Sequence, residues 1–181
     1  EAHVFSNEST NAKIINTNKS NFWFTDFEFL ASVGPPEFRC ASVDDLGDVV
    51  LSWIPVNDPL GIFIEYRIYS AIGGVFSLIG TESNVSTSSF THLGANANSA
   101  SVTYYISAVS NSSGSIVEDS SIDTLSTLFL NVVNPSNGTA VLQWNSITNP
   151  VLSTAYSHYY IYMEYPSGTW NLIDSVPNSV N

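Results

Sequence analysis

Apolar and polar positions along this chain recur with a period of two. Val49, Leu51 and Trp53 are interleaved with Val50, Ser52 and Ile54; Phe63 to Tyr69 reads F-I-E-Y-R-I-Y; Val102 to Val109 reads V-T-Y-Y-I-S-A-V; Thr139 to Trp144 reads T-A-V-L-Q-W. Successive side chains of an extended strand point to opposite faces, so this spacing predicts strands, and the β-branched and aromatic content suits a pleated surface. Strong helix formers are scarce, and no segment of a dozen residues keeps apolar positions at i, i+3, i+4 and i+7. Turn formers punctuate the runs: Asp44-Asp45-Leu46-Gly47-Asp48, Asn57-Asp58-Pro59-Leu60-Gly61, Gly73-Gly74, Asn111-Ser112-Ser113-Gly114, Asn134-Pro135-Ser136-Asn137-Gly138 and Pro166-Ser167-Gly168. Short strands so evenly divided predict an all-β sandwich.

The pattern occurs twice, at a spacing of a little over ninety residues. V-V-L-S-W ending at Trp53 is matched by A-V-L-Q-W ending at Trp144, Y-R-I-Y at Tyr66 to Tyr69 by Y-Y-I-Y at Tyr159 to Tyr162, and F-S-L-I at Phe76 to Ile79 by W-N-L-I at Trp170 to Ile173. These residues resemble the fibronectin type III domain, with Pro35-Pro36 ahead of the first strand, Trp53 ending strand B, Tyr66-Arg67-Ile68-Tyr69 in strand C and Ala108-Val109 ending strand F. The resemblance covers the chain from Pro35 onwards and implies tandem immunoglobulin-like sandwiches. The position of the tyrosine corner falls on Val102, with the aromatics at Tyr104 and Tyr105 instead.

The expected organisation is a leader over residues 1–34, a complete module over 35–126 and a partial module over 127–181 holding strands A, B, C and C′ only. Half a sandwich leaves an inner sheet face and strand edges open to water. The natural chain is therefore expected to continue, or another chain to donate the missing strands. The leader contains the aromatic run Phe22 to Leu30, read as the last strand of a preceding domain or a strand packed on the first module, with a ligand-docking or partner-docking segment as the alternative.

Composition narrows the function. A net charge of −12, from 4 basic against 16 acidic residues, excludes the basic patch that nucleic acids or anionic membranes require. Neither of those partners is expected, and no apolar run approaches the roughly 18–20 residues of a membrane-spanning helix. With 44% hydrophobic and 13% aromatic residues the chain has ample material for a core. Its single cysteine, Cys40, forms no intrachain disulfide, so stability must come from packing.

Chemistry is sparse. His3, His92 and His158 lack ligand spacing, with His92 expected in the turn between strands E and F and His158 at the opening of strand C. Asp44, Asp45 and Asp48 are close enough to chelate calcium, but Gly47 among them favours an acidic hairpin turn. Glu118, Asp119 and Asp123 read as solvated loop charge near strand G. Trp53 and Trp144 sit at core positions, whereas Tyr156, Tyr165 and Trp170 lie near turns, where an exposed ring can stack on a sugar; packing is the preferred reading. Five glycosylation sequons begin at Asn7, Asn18, Asn84, Asn111 and Asn137, and Asp123-Thr124-Leu125 and Asp174-Ser175-Val176 resemble the motif that Bacteroidetes O-glycosylate on exported proteins. No catalytic, cofactor-binding or metal residue is assigned, no cofactor is expected, and the chain is not expected to be an enzyme.

Residues Pro36, Glu37, Arg39, Cys40, Gly47, Asp48, Trp53 and Asp58-Pro59-Leu60-Gly61 are similar to the opening type III module of large secreted proteins of gliding or surface-active Bacteroidetes. That resemblance implies export to the cell surface or outer-membrane exterior, in association with type IX secretion or gliding machinery. The expected role is a non-catalytic interaction or scaffold protein whose partners are other envelope or surface proteins, with strand donation to the second module among the contacts. The alternative is an accessory module, glycan-binding or a spacer, of a secreted enzyme whose catalytic domain lies outside this chain.

Overall fold

A computed structural model describes the backbone of residues 2–6, 11–16 and 24–28, together with residues 31–121, 123–145 and 157–178. Among them there are strands and turns but no helix. Three strands, β1 (Ala2–Ser6), β2 (Asn11–Asn16) and β3 (Phe24–Glu28), form an antiparallel meander with Val4 opposite Ile14 and Ile14 opposite Thr25. The leader thus holds three strands where a single one was expected. The aromatic run contributes β3, and its Phe22, Trp23, Phe29 and Leu30 lie outside the described residues.

The next stretch builds two antiparallel sheets around one core. Strands β4 (Glu37–Val43), β5 (Val49–Ile54) and β8 (Ser89–His92) form a sheet in the order β4-β5-β8. The facing sheet runs β10-β9-β6-β7, from β6 (Phe63–Ile72), β7 (Val75–Glu82), β9 (Thr103–Ser112) and β10 (Ser115–Ser120), and β11 (Leu125–Ser126) also pairs with β9. The period of two decides which side chains meet. Val49, Leu51 and Trp53 from one sheet and Tyr66, Ile68, Tyr104, Ile106 and Ala108 from the other are buried in a shared core. At its centre Trp53 meets Tyr66 edge-on at 5.3 Å. The Tyr66 hydroxyl donates to the Val85 carbonyl at 2.8 Å and accepts the Val56 amide at 2.9 Å, so its burial leaves no polar group unpaired. At Gly80 the sheets approach so closely that a β-carbon there would stand 2.5 Å from the Phe90 ring.

Strand β8 includes His92, held by pairing with Val49, so this histidine lies in the strand and not in the turn after it. Beyond residue 127 two separate hairpins follow: β12 (Leu130–Val133) with β13 (Val141–Trp144), and β14 (His158–Glu164) with β15 (Trp170–Pro177). They reproduce details of the first copy. Trp144 meets Tyr159 edge-on at 5.5 Å, as Trp53 meets Tyr66. The register of β6 on β7 slips between Ile68 and Tyr69, and that of β14 on β15 slips at the matching residues, Ile161 and Tyr162. Burial is not reproduced. Trp53 is 1% exposed, whereas Trp144 is only half-buried, and Leu130 and Val132 on the same face of their hairpin are 49% and 56% exposed.

Candidate functional site

Two outward sheet faces carry the chain's concentrated side-chain chemistry. On the first, alternate residues of β6, Glu65, Arg67 and Tyr69, point away from the core, and β9 places Ser107 opposite Arg67 and Tyr105 opposite Tyr69. Strand β10 brings in Glu118 from the far side of β9. The Glu118 carboxylate accepts hydrogen bonds from Arg67 Nη1 at 2.7 Å, Ser107 Oγ at 2.6 Å and Tyr69 Oη at 3.0 Å, while Arg67 Nε reaches Glu65 at 2.8 Å. Burial pushes the Glu118 carboxyl up, but the Ser107 and Tyr69 hydrogen bonds and the Arg67 guanidinium outweigh it and hold the group below its ordinary range. Burial raises the Tyr69 and Tyr105 phenols, and the neighbouring carboxylate adds to the effect. The two tyrosine rings stack at 4.3 Å, and Phe76 meets Tyr105 edge-on at 4.8 Å. A carboxylate held ionised by three donors is a fixed structural charge and is not poised to exchange protons at neutral pH. The face thus combines stacked aromatic rings with a hydrogen-bonded ion pair.

The second face is the same surface on the repeat, with its charges replaced. By the alignment of the two copies, Arg67, Tyr69, Phe76 and Leu78 become Tyr160, Tyr162, Trp170 and Leu172. Tyr162 lies opposite Leu172 and Glu164 opposite Trp170. Tyr162, Trp170 and Leu172 are 53%, 65% and 55% exposed. Tyr160 thus stands where Arg67 makes its ion pairs, and with Tyr162, Trp170 and Leu172 it gives this outward face four exposed aromatic or aliphatic side chains, with Glu164 opposite Trp170.

The remaining residues singled out from the sequence serve local structure. Asp44 Oδ1 accepts the Leu46 and Asp48 amides at 2.9 Å each and so fixes a turn whose Gly47 has φ of 83°, while Asp48 Oδ1 accepts the Gly94 amide at 2.6 Å and ties the turn to the segment after β8. Asp58 accepts the Ile62 and Phe63 amides at 2.9 and 3.0 Å; burial raises its carboxyl, but these bonds together with the Gly61 and Leu60 amides outweigh it and bring it below the usual range. His92 Nδ1 lies 3.0 Å from the Tyr104 hydroxyl, and burial lowers its pKa against a smaller opposing pull from Asp48. Burial likewise raises the Tyr104 phenol. Glu118 and Asp119 stand within β10 and not in a loop. Asp123 lies in the bend after β10, and Asp119 and Asp123 each turn one carboxylate oxygen out of solvent, with no hydrogen-bond partner among the described residues.

His158 opens β14, and its Nδ1 lies 2.9 Å from the Ser157 hydroxyl. Only the backbone of His3 is described, and Tyr156, Asn7 and Asn18 lie outside the described residues. Tyr165 is exposed beside the Pro166 to Thr169 turn. Asn84, Asn111 and Asn137 each cap a turn with the side-chain oxygen. Among the described residues no group of three or more His, Cys, Asp or Glu is placed to hold a metal ion, and no helix is long and apolar enough to cross a membrane.

Compared with family models, curated proteins and solved structures, the chain matches none. Sequence reasoning missed the Glu118 network, although half of it was visible as E-Y-R-I-Y, where a period of two sets Glu65, Arg67 and Tyr69 on one face; the contribution from β10 needed the strand order.

Proposed function

We propose that this chain is a non-catalytic interaction protein of the cell exterior, built from tandem fibronectin type III modules that contact other envelope proteins. The exposed side chains of Tyr160, Tyr162, Trp170 and Leu172 carry this reading, because such groups are stable in water only at the expense of ordering it, and a protein partner removes that cost. The type III assignment is supported by a three-stranded sheet facing β10-β9-β6-β7, and by the Trp53–Tyr66 contact recurring at Trp144–Tyr159. Placement with type IX secretion or gliding machinery is supported by the residues from Pro36 to Gly61.

A second reading, an accessory glycan-binding module, is favoured by the exposed indole of Trp170 and by the Tyr69, Tyr105 and Phe76 rings. One experiment separates them. The chain and its Trp170→Ala and Leu172→Ser variants are tested on a glycan array and, in parallel, as bait against solubilised envelope. A specific envelope complex retained by the wild type and weakened by both variants is expected, with no glycan bound. Glycan binding abolished by Trp170→Ala would replace this reading with the second.

A further inference from the structure

Strand β8 is the outermost of the sheet β4-β5-β8, and its alternate residues Phe90 and His92 turn toward the facing sheet. Phe90 packs against the core beside Gly80 of β7, an apolar contact indifferent to pH. His92 makes a polar one. Its Nδ1 lies 3.0 Å from the hydroxyl of Tyr104 on β9, and the two rings meet edge-on at 5.8 Å, so this hydrogen bond joins a strand of one sheet to a strand of the other.

The protons in that bond can be assigned from burial. Tyr104 is 0% exposed, and among the described residues its hydroxyl has His92 as its hydrogen-bond partner. A buried hydroxyl proton needs an acceptor, so Tyr104 donates and Nδ1 accepts, which leaves the proton of neutral His92 on Nε2. An imidazolium carries a proton on Nδ1 as well, and two protons then face each other across the bond. The hydroxyl can turn and accept, but its own proton is then buried without a partner. Asp48, in the turn before β5, is the charged group that favours the imidazolium, and its pull is smaller than the opposing effect of burial; its Oδ1 already accepts the Gly94 amide. Val49, opposite His92 on β5, is apolar.

We propose that the His92–Tyr104 hydrogen bond is a proton-operated clasp between the two sheets, closed while His92 is neutral and opened when it becomes charged. Opening frees β8 and leaves β5 as the outer strand of its sheet. The release stops there. Gly94 donates to Asp48 Oδ1 at 2.6 Å and Ala97 donates to the Gly47 carbonyl at 2.9 Å, so the segment after β8 stays tied to the turn in both states. The direction of the pH dependence follows from the lowered pKa of His92. The unfolded chain takes up this proton more readily than the folded one, so the stabilisation is complete above the ordinary value of 6.5 and is lost as pH falls through the folded value. The clasp lies in the first copy and does not depend on what the face around Trp170 binds.

The test follows the full chain by NMR as it is acidified from pH 8 to pH 5, the range in which histidines change charge. Expected are the Nε2–H tautomer of His92 at pH 8 and, in step with titration of its ring, loss of amide-exchange protection in β8, with protection retained in β6, in β9 and at Ala97. His92→Asn supplies an uncharged acceptor to the Tyr104 hydroxyl, and its β8 protection should not change with pH. Tyr104→Phe has no hydroxyl proton to strand and should lose less β8 protection than the wild type. An Nδ1–H tautomer at pH 8, unchanged β8 protection across the His92 titration, or an equal acid loss in His92→Asn would each overturn the proposal. The first two readings come from the unmodified protein and decide the matter even where a variant folds poorly.

Discussion

Glu118 shows how one side chain ties three strands together. Its carboxylate joins β10 to β9 through Ser107 and to β6 through Arg67 and Tyr69, with the ion pair about one-third exposed on each side. Partial exposure screens the charge, so Glu118→Gln should lower the unfolding free energy by only about 1–2 kcal/mol, measured by urea denaturation at pH 7. The sign of the pH dependence follows from the lowered carboxyl. The unfolded chain binds this proton more readily than the folded one, so the contribution is complete above the ordinary value of 4.5 and disappears as pH falls through the folded value. The difference between wild type and Glu118→Gln should therefore shrink below pH 4.5; a difference that stays constant down to pH 3 would disprove the account. The alternation of Glu65, Arg67 and Tyr69 was legible in the sequence, but their common partner was not, because Glu118 is 51 positions from Arg67 and only strand pairing joins them.

Elements were easier to read than their neighbours. The runs at Val49, Phe63, Val102 and Thr139 all fall in or beside strands, since a period of two is local and survives without knowledge of the fold. The expected turn at His92 was displaced because cross-strand pairing with Val49 extends β8, a long-range interaction that turn propensity does not report. Gly80 likewise depends on a long-range contact: a β-carbon there would stand 2.5 Å from the Phe90 ring of β8 in the opposite sheet. Gly80→Ala should cost about 1–3 kcal/mol in a thermal or urea melt, because the added methyl must displace the Phe90 ring. Adding Phe90→Leu to that variant should recover part of the loss. Full tolerance of Gly80→Ala would mean that the sheets have room to part.

At the scale of the molecule, the two copies share a pattern and differ in what surrounds it. Trp53→Ala should destabilise the 37–127 region by about 3–5 kcal/mol, whereas Trp144→Ala, with its ring half in solvent, should cost far less. Amide exchange should follow the same division, slowest in β5, β6 and β9 and faster throughout β12 to β15. Uniformly slow exchange over all seven would contradict the burial seen here.

By itself the sequence determined the all-β class, most of the strands and the duplication, because each depends on side-chain alternation and turn chemistry within a few residues. Only the tertiary structure decided which edges are shared, which carboxylates are held by donors, and which of two matching tryptophans is enclosed. Identical local patterns become a core or a surface according to what covers them, and that is settled by contacts between strands far apart in the chain.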